Sequence, residues 1–561
     1  MAATTSSTIA VPGKPTDGGP RRAPDAASTL FDAADELALQ VPTSCRRNGR
    51  CRECVVEVRS GAEHLSPPTP PEAFLRAPYR LACQAVVTDP AAQVDFAILR
   101  RRLRIVVPEP EPRTAPIDPA VRIVDGVVRW HDEEIEAFHG EAYGLALDLG
   151  TTTIALELVD LLTGESLEVV ALENPQRFGG SDVMNRISYD STDRGELRQS
   201  VRRAINTELR ALYERRGIDR RRIYELVVVG NSTMRDIFFG LDVSSIGERP
   251  YKSITELELL DGVRTTTTLV ARAYELGLRI HPRARIWGGP LVASHVGADV
   301  AADLLAVGLD SPQDGVVMLV DVGTNTEVVI AAGGRTIAAS CPAGPAFEGG
   351  EVMYGMQASD GAIESVRLAE DGRFELRTIG GTAPRGLCGS GLIDLLAELR
   401  RADRMSPKGV FADKSYSLTV DDEAGITFSR ADASALAQAK AANTVGQWIL
   451  LRELGVDPAD VSRVYLAGGF ATYVDLQNAV EIGFLAPVPV DRIVKVGNAS
   501  LRGARELLVS RSARTRLEEF VRSIEHFELE TTEDFFDLFV DGCQFKPLPA
   551  HTGTAGGRLA V

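Results

Sequence analysis

The chain has 561 residues, 44% hydrophobic and 25% charged, a usage that suits packed globular domains and excludes disorder, coiled coil or collagen as the dominant state; at roughly 100–200 residues per domain it has room for about three or four. Asp and Glu outnumber Lys and Arg by 78 to 61, a formal charge of −17, which speaks against nucleic acid or an anionic membrane face as a partner. No apolar run approaches the roughly 18–20 residues needed to cross a bilayer.

Residues 1–27 are rich in small residues and Pro and read as a flexible tail. Only Thr8 to Val11 resembles a strand, and no charged-then-apolar signal layout is present, so a cytoplasmic protein is expected. Leu30, Phe31, Ala34 and Leu37 recur at helical spacing; a Cys-rich loop and an apolar strand, Val55 to Val58, follow. Residues 28–106 form the first expected domain. Basic side chains cluster in it at Arg46, Arg47, Arg50 and Arg52, and again at Arg100, Arg101, Arg102 and Arg104. Pro108, Pro110, Pro112, Pro116 and Pro119 then favour an extended, semi-rigid spacer. With the short polar stretch Val121 to Glu141 this gives a linker over 107–142. Strands and helices alternate over 143–548, in two lobes of about 143–312 and 313–548, and 549–561 read as a second flexible tail.

Four of the seven cysteines fall at Cys45, Cys51, Cys54 and Cys83. An odd total in a chain without an export signal argues against a disulfide framework. Three thiols on one loop and a fourth from elsewhere suit a [2Fe-2S] cluster, in which each iron takes two soft thiolates. The gap from Cys45 to Cys51 is one residue wider than the plant-type spacing, and inside it Gly49 is free to take a positive φ that turns backbone amides toward sulfur. The nearby arginines are expected to stabilise the reduced, more negative cluster. A four-cysteine zinc site prefers two Cys-x2-Cys pairs, and the sequence holds one.

Leu145 to Ile154 and Met318 to Glu327 repeat one pattern, an apolar strand running into Asp-x-Gly-Thr-x-Thr. Such duplication predicts two similar halves facing one another. A phosphate chain needs backbone N–H donors, hydroxyls and a carboxylate-held hard cation. Gly150, Thr151, Thr152 and Thr153, with Gly323, Thr324 and Asn325, offer the first two, and Asp148 and Asp321 can hold Mg²⁺ through its waters. A third element, Val464 to Phe470, ends in Gly468 and Gly469, where a purine and ribose can pack on bare backbone. Gly386 to Gly391 precedes an amphipathic run; Gly389 there either presents helix amides to phosphate or serves tight helix packing. Cys388 reads as a small core residue, and Glu348 and Asp299 are acids beside glycine-rich turns. No Gly-x-x-x-x-Gly-Lys-Ser/Thr loop is present.

The two hairpins followed by strand-Gly-Gly resemble the actin, sugar-kinase and chaperone ATPase superfamily. Joined to the cysteine domain, the chain resembles the reductive activators of corrinoid proteins. Asn174 to Gly179, Asp182 to Arg186, Val229 to Met234, Ala343 to Gly349, Gly386 to Gly391 and Gly497 to Ala499 carry that resemblance. It implies a multidomain α/β chain, with an N-terminal β-grasp ferredoxin-like domain, a short linker and a C-terminal duplicated ribonuclease-H-like, actin-like ATPase. It further implies ATP-dependent reduction of a corrinoid protein from Co(II) to Co(I), with Asp148 and Asp321 on opposite walls of the ATP cleft and Cys45, Cys51, Cys54 and Cys83 holding the cluster. The partners implied are a corrinoid protein of a methyltransferase system and an external low-potential electron donor, and a homodimer is left open. The spacer is expected to let the cluster swing to the cobalt. A small-molecule kinase, or an ATP-driven activator of another low-potential metalloenzyme, is the alternative, and an actin-type scaffold is a third reading.

Overall fold

In a computed structural model the described residues are 28–36, 39, 41, 43, 45, 47–89, 93–99, 117–311 and 313–549, with backbone alone for 7–10, 102–103, 470 and 471. Most of both expected tails, Leu37, Arg46 and the spacer up to residue 116 lie outside them.

The N-terminal domain is a four-stranded antiparallel sheet in the order Ser7–Ala10, Gln93–Ile98, Val55–Ser60, Tyr79–Leu81. Helix Leu30–Glu36 closes one face; its Leu30, Phe31 and Ala34 are buried, as their spacing predicts. From residue 117 the chain does not stay extended. The strands Val121–Val124, Val127–Trp130 and Glu133–Ala137 form a small meander. Trp130 Nε1 donates to Glu225 at 2.8 Å and Arg222 meets Glu136 at 3.0 Å, which fixes the meander to the first lobe. The polar stretch thus gains its core from a neighbour.

The first lobe is built on a seven-stranded sheet in which Tyr143–Leu149 lies between Thr153–Asp160, antiparallel, and Ile223–Val229, parallel. All seven residues of Ile223–Val229 are buried, as expected of a parallel strand covered on both faces; its one charged residue, Glu225, accepts from Trp130 and Arg514. The second lobe repeats this: Val316–Val322 pairs antiparallel with Thr326–Ala332 and parallel with Val461–Ala467. The duplication read from the two Asp-x-Gly-Thr copies is therefore structural. The last strand of the first-lobe sheet is Arg102–Leu103, paired with Ala171 and Leu172; residues expected at the end of the cysteine domain belong to this sheet.

Two helices cross where the lobes meet. Ala298–Ala306 and Ala499–Val509 approach so closely that a Cβ on Gly503 would lie 2.0 Å from the Ala302 carbonyl oxygen. Only glycine permits that approach.

Candidate functional site

The cysteine loop forms first from its backbone. Gly49 has φ +78°, the left-handed turn its sequence context predicts. Cys51, Cys54 and Cys83 are buried and Cys45 is half-buried. The thiols associate in pairs: Cys54 donates to Cys83 at 3.4 Å, and Cys45 bonds Cys51. Burial alone would raise the Cys45 thiol, but amides of Cys51, Asn48 and Arg50 bring it down to about 7. Cys83 falls to about 6 through the hydrogen bond from Cys54, with further donors at Gln84 and the Gly49 amide. Among the described residues no three His, Cys, Asp or Glu side chains surround one point closely enough for a lone ion. Two soft thiol pairs lined by amides fit two irons better than one zinc.

Two of the loop arginines, Arg47 and Arg52, are engaged away from the sulfurs. Arg47 pairs with Asp32 at 3.0 Å and with Asp35, and its guanidinium lies 4.0 Å over the Phe31 ring. Arg52 pairs with Glu196 of the first lobe and lies 4.6 Å over Phe74. Their charges are spent on carboxylates and aromatic faces, while neighbouring thiols and backbone amides bring Cys45 and Cys83 down.

The nucleotide elements meet in a single cleft of about 250 Å³ between the lobes. It is lined by Asp148, Gly150, Thr151, Thr152 and Thr153 from one hairpin, by Asp321, Gly323, Thr324 and Asn325 from the other, and by Gly389, Gly468 and Gly469. Asp148 and Asp321 stand on opposite lobes. Gly468 has φ +96°, and a Cβ there would sit 2.2 Å from the Val322 carbonyl oxygen, whereas Gly469 has open space beside it. Thr152 Oγ1 and Thr324 Oγ1 lie 3.0 Å apart, and each donates to Glu348 at 2.8 Å. The glycine run before helix Gly389–Arg401 divides its labour: Gly389 and Ser390 face the cleft, while a Cβ on Gly391 would meet the Ile363 carbonyl at 2.2 Å. Cys388 is buried and also touches the cleft.

The cleft floor is a nest of acids. Burial raises Asp148 to about 7 despite a 2.8 Å hydrogen bond from Asn498, and Asp321 to about 6. Burial, then the neighbouring Asp321 and Asp148, lifts Asp299 to about 8. Asp303 and Glu327 are pushed well above the ordinary carboxylate range, first by burial and then by their acidic neighbours. No hydrogen-bond partner reaches either oxygen of Asp303, and the acid beside it, Asp321, adds to the burial that disfavours its charged form.

Comparisons with known proteins agree with this geometry. A family model described as the C-terminal domain of RACo, the ASKHA domain, matches residues 315–552, and one described as the RACo middle region matches 143–312. A 2Fe-2S iron-sulfur cluster binding domain matches 17–88. The two RACo models together cover well over half of the chain. The chain belongs to the RACo family, the reductive activators of corrinoid proteins. Corrinoid activation enzyme RamQ of Eubacterium limosum is 26% identical over 92% of this chain and 96% of its own length. A [Co(II) methylated amine-specific corrinoid protein] reductase of Methanosarcina barkeri is 28% identical, covering 71% and 76%. A solved structure titled reductive activator for corrinoid, iron-sulfur protein superposes with TM-score 0.68 at 27% identity, over 92% of this chain and 95% of that one.

In this RACo-family chain several residues of the cleft were not assigned a role from sequence. Asn498 and Asn231 hold Asp148 and Thr151 from helix N-caps, and the Asn-Ser and Asn-Ala pairs ahead of apolar runs were the available signal. Asp303 is silent in sequence, one turn beyond Asp299. Arg186 is buried behind the first hairpin, where it donates to the Thr151 carbonyl oxygen at 2.6 Å; burial lowers it to about 9.

Proposed function

We propose that this chain is an ATP-dependent reductive activator that returns a corrinoid protein from Co(II) to Co(I) through a [2Fe-2S] cluster held by Cys45, Cys51, Cys54 and Cys83. The observation that carries the reading is that the paired thiols sit on a domain packed directly against the lobe bearing the first nucleotide hairpin. When bound, the cluster supplies single electrons. The chain's own residues do the rest. Amides of the two hairpins and the hydroxyls of Thr152 and Thr324 turn to phosphate, releasing Glu348. Asp148 and Asp321 hold Mg²⁺ through its waters, and the cation's charge favours their carboxylate forms against burial. Gly468 and Gly469 leave bare backbone for the purine and ribose. A ligand shifts a conformational equilibrium only by binding its two states differently. A triphosphate clamped between two lobes does so, and lobe closure about the Ala298–Ala306 and Ala499–Val509 crossing is the element it biases.

The client is a corrinoid protein of a methyltransferase system, reduced in the cytoplasm at the expense of an external low-potential donor. The test mixes anaerobic protein, reductant, Mg-ATP and a Co(II) corrinoid protein and follows the Co(I) absorption band. Co(I) should accumulate with ATP and not without it; equal yields in both would refute the proposal.

A further inference from the structure

The stretch Asn174 to Tyr189 touches both functional centres of the molecule. On one side it holds the backbone of the first hairpin. The Asn174 amide donates to the Thr152 carbonyl at 2.7 Å, Asn174 Nδ2 to the Gly150 carbonyl at 2.8 Å, and Arg186 to the Thr151 carbonyl. With these three oxygens drawn away from the cleft, the turn's amides are left for phosphate. The stretch is itself rigid. Asn174 caps the short helix Pro175–Gly179, and Asp182 caps helix Val183–Thr192. Arg186 also bonds the Gly180 carbonyl at 3.1 Å.

On its other side the same stretch grips the ferredoxin domain. The Phe178 ring packs edge-on against Phe74 at 5.7 Å and against Tyr189 at 5.5 Å. Tyr189 donates its hydroxyl to the Phe74 carbonyl. Arg177 lies 3.8 Å from Glu57, which is three residues beyond Cys54. The adjoining helix Glu196–Arg216 completes the grip on the cluster loop, with Arg203 donating to the Cys51 carbonyl at 2.5 Å and Glu196 paired with Arg52. Phe178 and Tyr189 share one buried core with Phe74.

We propose that residues 174–189 couple the two sites, so that nucleotide seated on the first hairpin loosens the grip of the first lobe on the cluster loop. Phosphate takes the Thr152 hydroxyl away from Thr324 and Glu348 and draws the hairpin amides into the cleft. The three carbonyls held by Asn174 and Arg186 move with them, and the rigid stretch carries that displacement to Phe178 and Tyr189. This rests on the redox reading above for its purpose, and on geometry alone for its existence. Coupling between two binding equilibria is reciprocal: whatever factor ATP applies to the dock, weakening the dock must apply to ATP.

The test uses the full cluster-loaded chain. Bleaching of its visible absorbance by a small iron chelator should quicken at least about five-fold on adding Mg-ATP, the low end of ordinary allosteric couplings. Tyr189→Phe, which removes only the hydroxyl bond to Phe74, should bleach at the faster rate without ATP and bind ATP more tightly than wild type by a comparable factor. Phe178→Leu, which keeps the site apolar, should behave alike. A purely structural contact would lower thermal stability and leave ATP affinity unmoved. Wild-type bleaching that ATP leaves unchanged or slows overturns the coupling, as does unchanged ATP affinity in both variants. Co(I) formation is scored separately: ATP-dependent reduction with ATP-indifferent bleaching sinks the coupling alone, and the converse pattern sinks the redox reading alone.

Discussion

Gly468 illustrates how one missing side chain fixes a site. Its φ of +96° and the 2.2 Å that would separate a Cβ from the Val322 carbonyl oxygen leave room for no other residue. Gly468→Ala should therefore force strand Val316–Val322 away from the cleft and weaken ATP binding at least ten-fold, while the cluster spectrum is preserved; calorimetric titration beside a visible spectrum checks both. The acids below it set a pH dependence. Their folded-state pKa values, about 6 for Asp321, about 7 for Asp148 and about 8 for Asp299, lie above the usual carboxylate value because burial favours the neutral form. Groups raised in this way contribute their full stability at low pH, below their unfolded values, and lose it as pH climbs through their folded ones. The melting temperature without nucleotide should fall by several degrees between pH 6 and pH 8.5. Mg-ATP, whose cation prefers ionised acids, should flatten that slope, and equal slopes with and without it would contradict the assignment of Asp148 and Asp321 to the cation.

At the scale of elements, the lobes are joined through a helix crossing that tolerates no bulk. Gly503→Leu must separate Ala499–Val509 from Ala298–Ala306 by more than a methyl group. The expected result is a protein destabilised by about 3 kcal/mol or more, the upper end of overpacking costs, measured as a shift in urea midpoint. A second joint is Lys440, buried in helix Arg430–Glu453, whose ammonium donates to the carbonyls of Gly542, Gln544 and Lys546 at 2.9, 2.7 and 3.2 Å. Lys440→Met leaves these carbonyls without that donor and should cost about 2 kcal/mol, seen as faster proteolysis beyond residue 540. Neither joint was legible in the sequence. Gly503 sits in a helical run where glycine reads as a weak former, and Lys440 reads as a solvated charge. The strands, by contrast, announced themselves through apolar runs, and the hairpins through a repeated Asp-x-Gly-Thr, because both follow from local periodicity and turn chemistry. What escaped was set by residues remote in the chain: the contacts that Asn231 and Asn498 make from their caps, the burial of Asp303 near Asp321, and the partners that claim Arg47 and Arg52.

Across the whole molecule, the cysteine domain and the first lobe were legible as separate units, yet they share a core. Removing residues 1–101 would uncover Phe178 and Tyr189. The first lobe should then melt several degrees lower and bind an apolar dye, and an unchanged melting temperature would mean that the shared core adds nothing to stability. Strand Arg102–Leu103 gives this union a further meaning. It follows Ile98, the end of the ferredoxin sheet, by three residues, and it is hydrogen-bonded into the edge of the first-lobe sheet. Three intervening residues reach about 10 Å at full extension. The Pro-rich stretch lies downstream of that anchor and adds nothing to the leash while the strand stays paired. A cluster so moored can pivot but not travel, so the corrin ring has to be brought to the iron, and the client's approach rather than the carrier's excursion becomes the journey that matters.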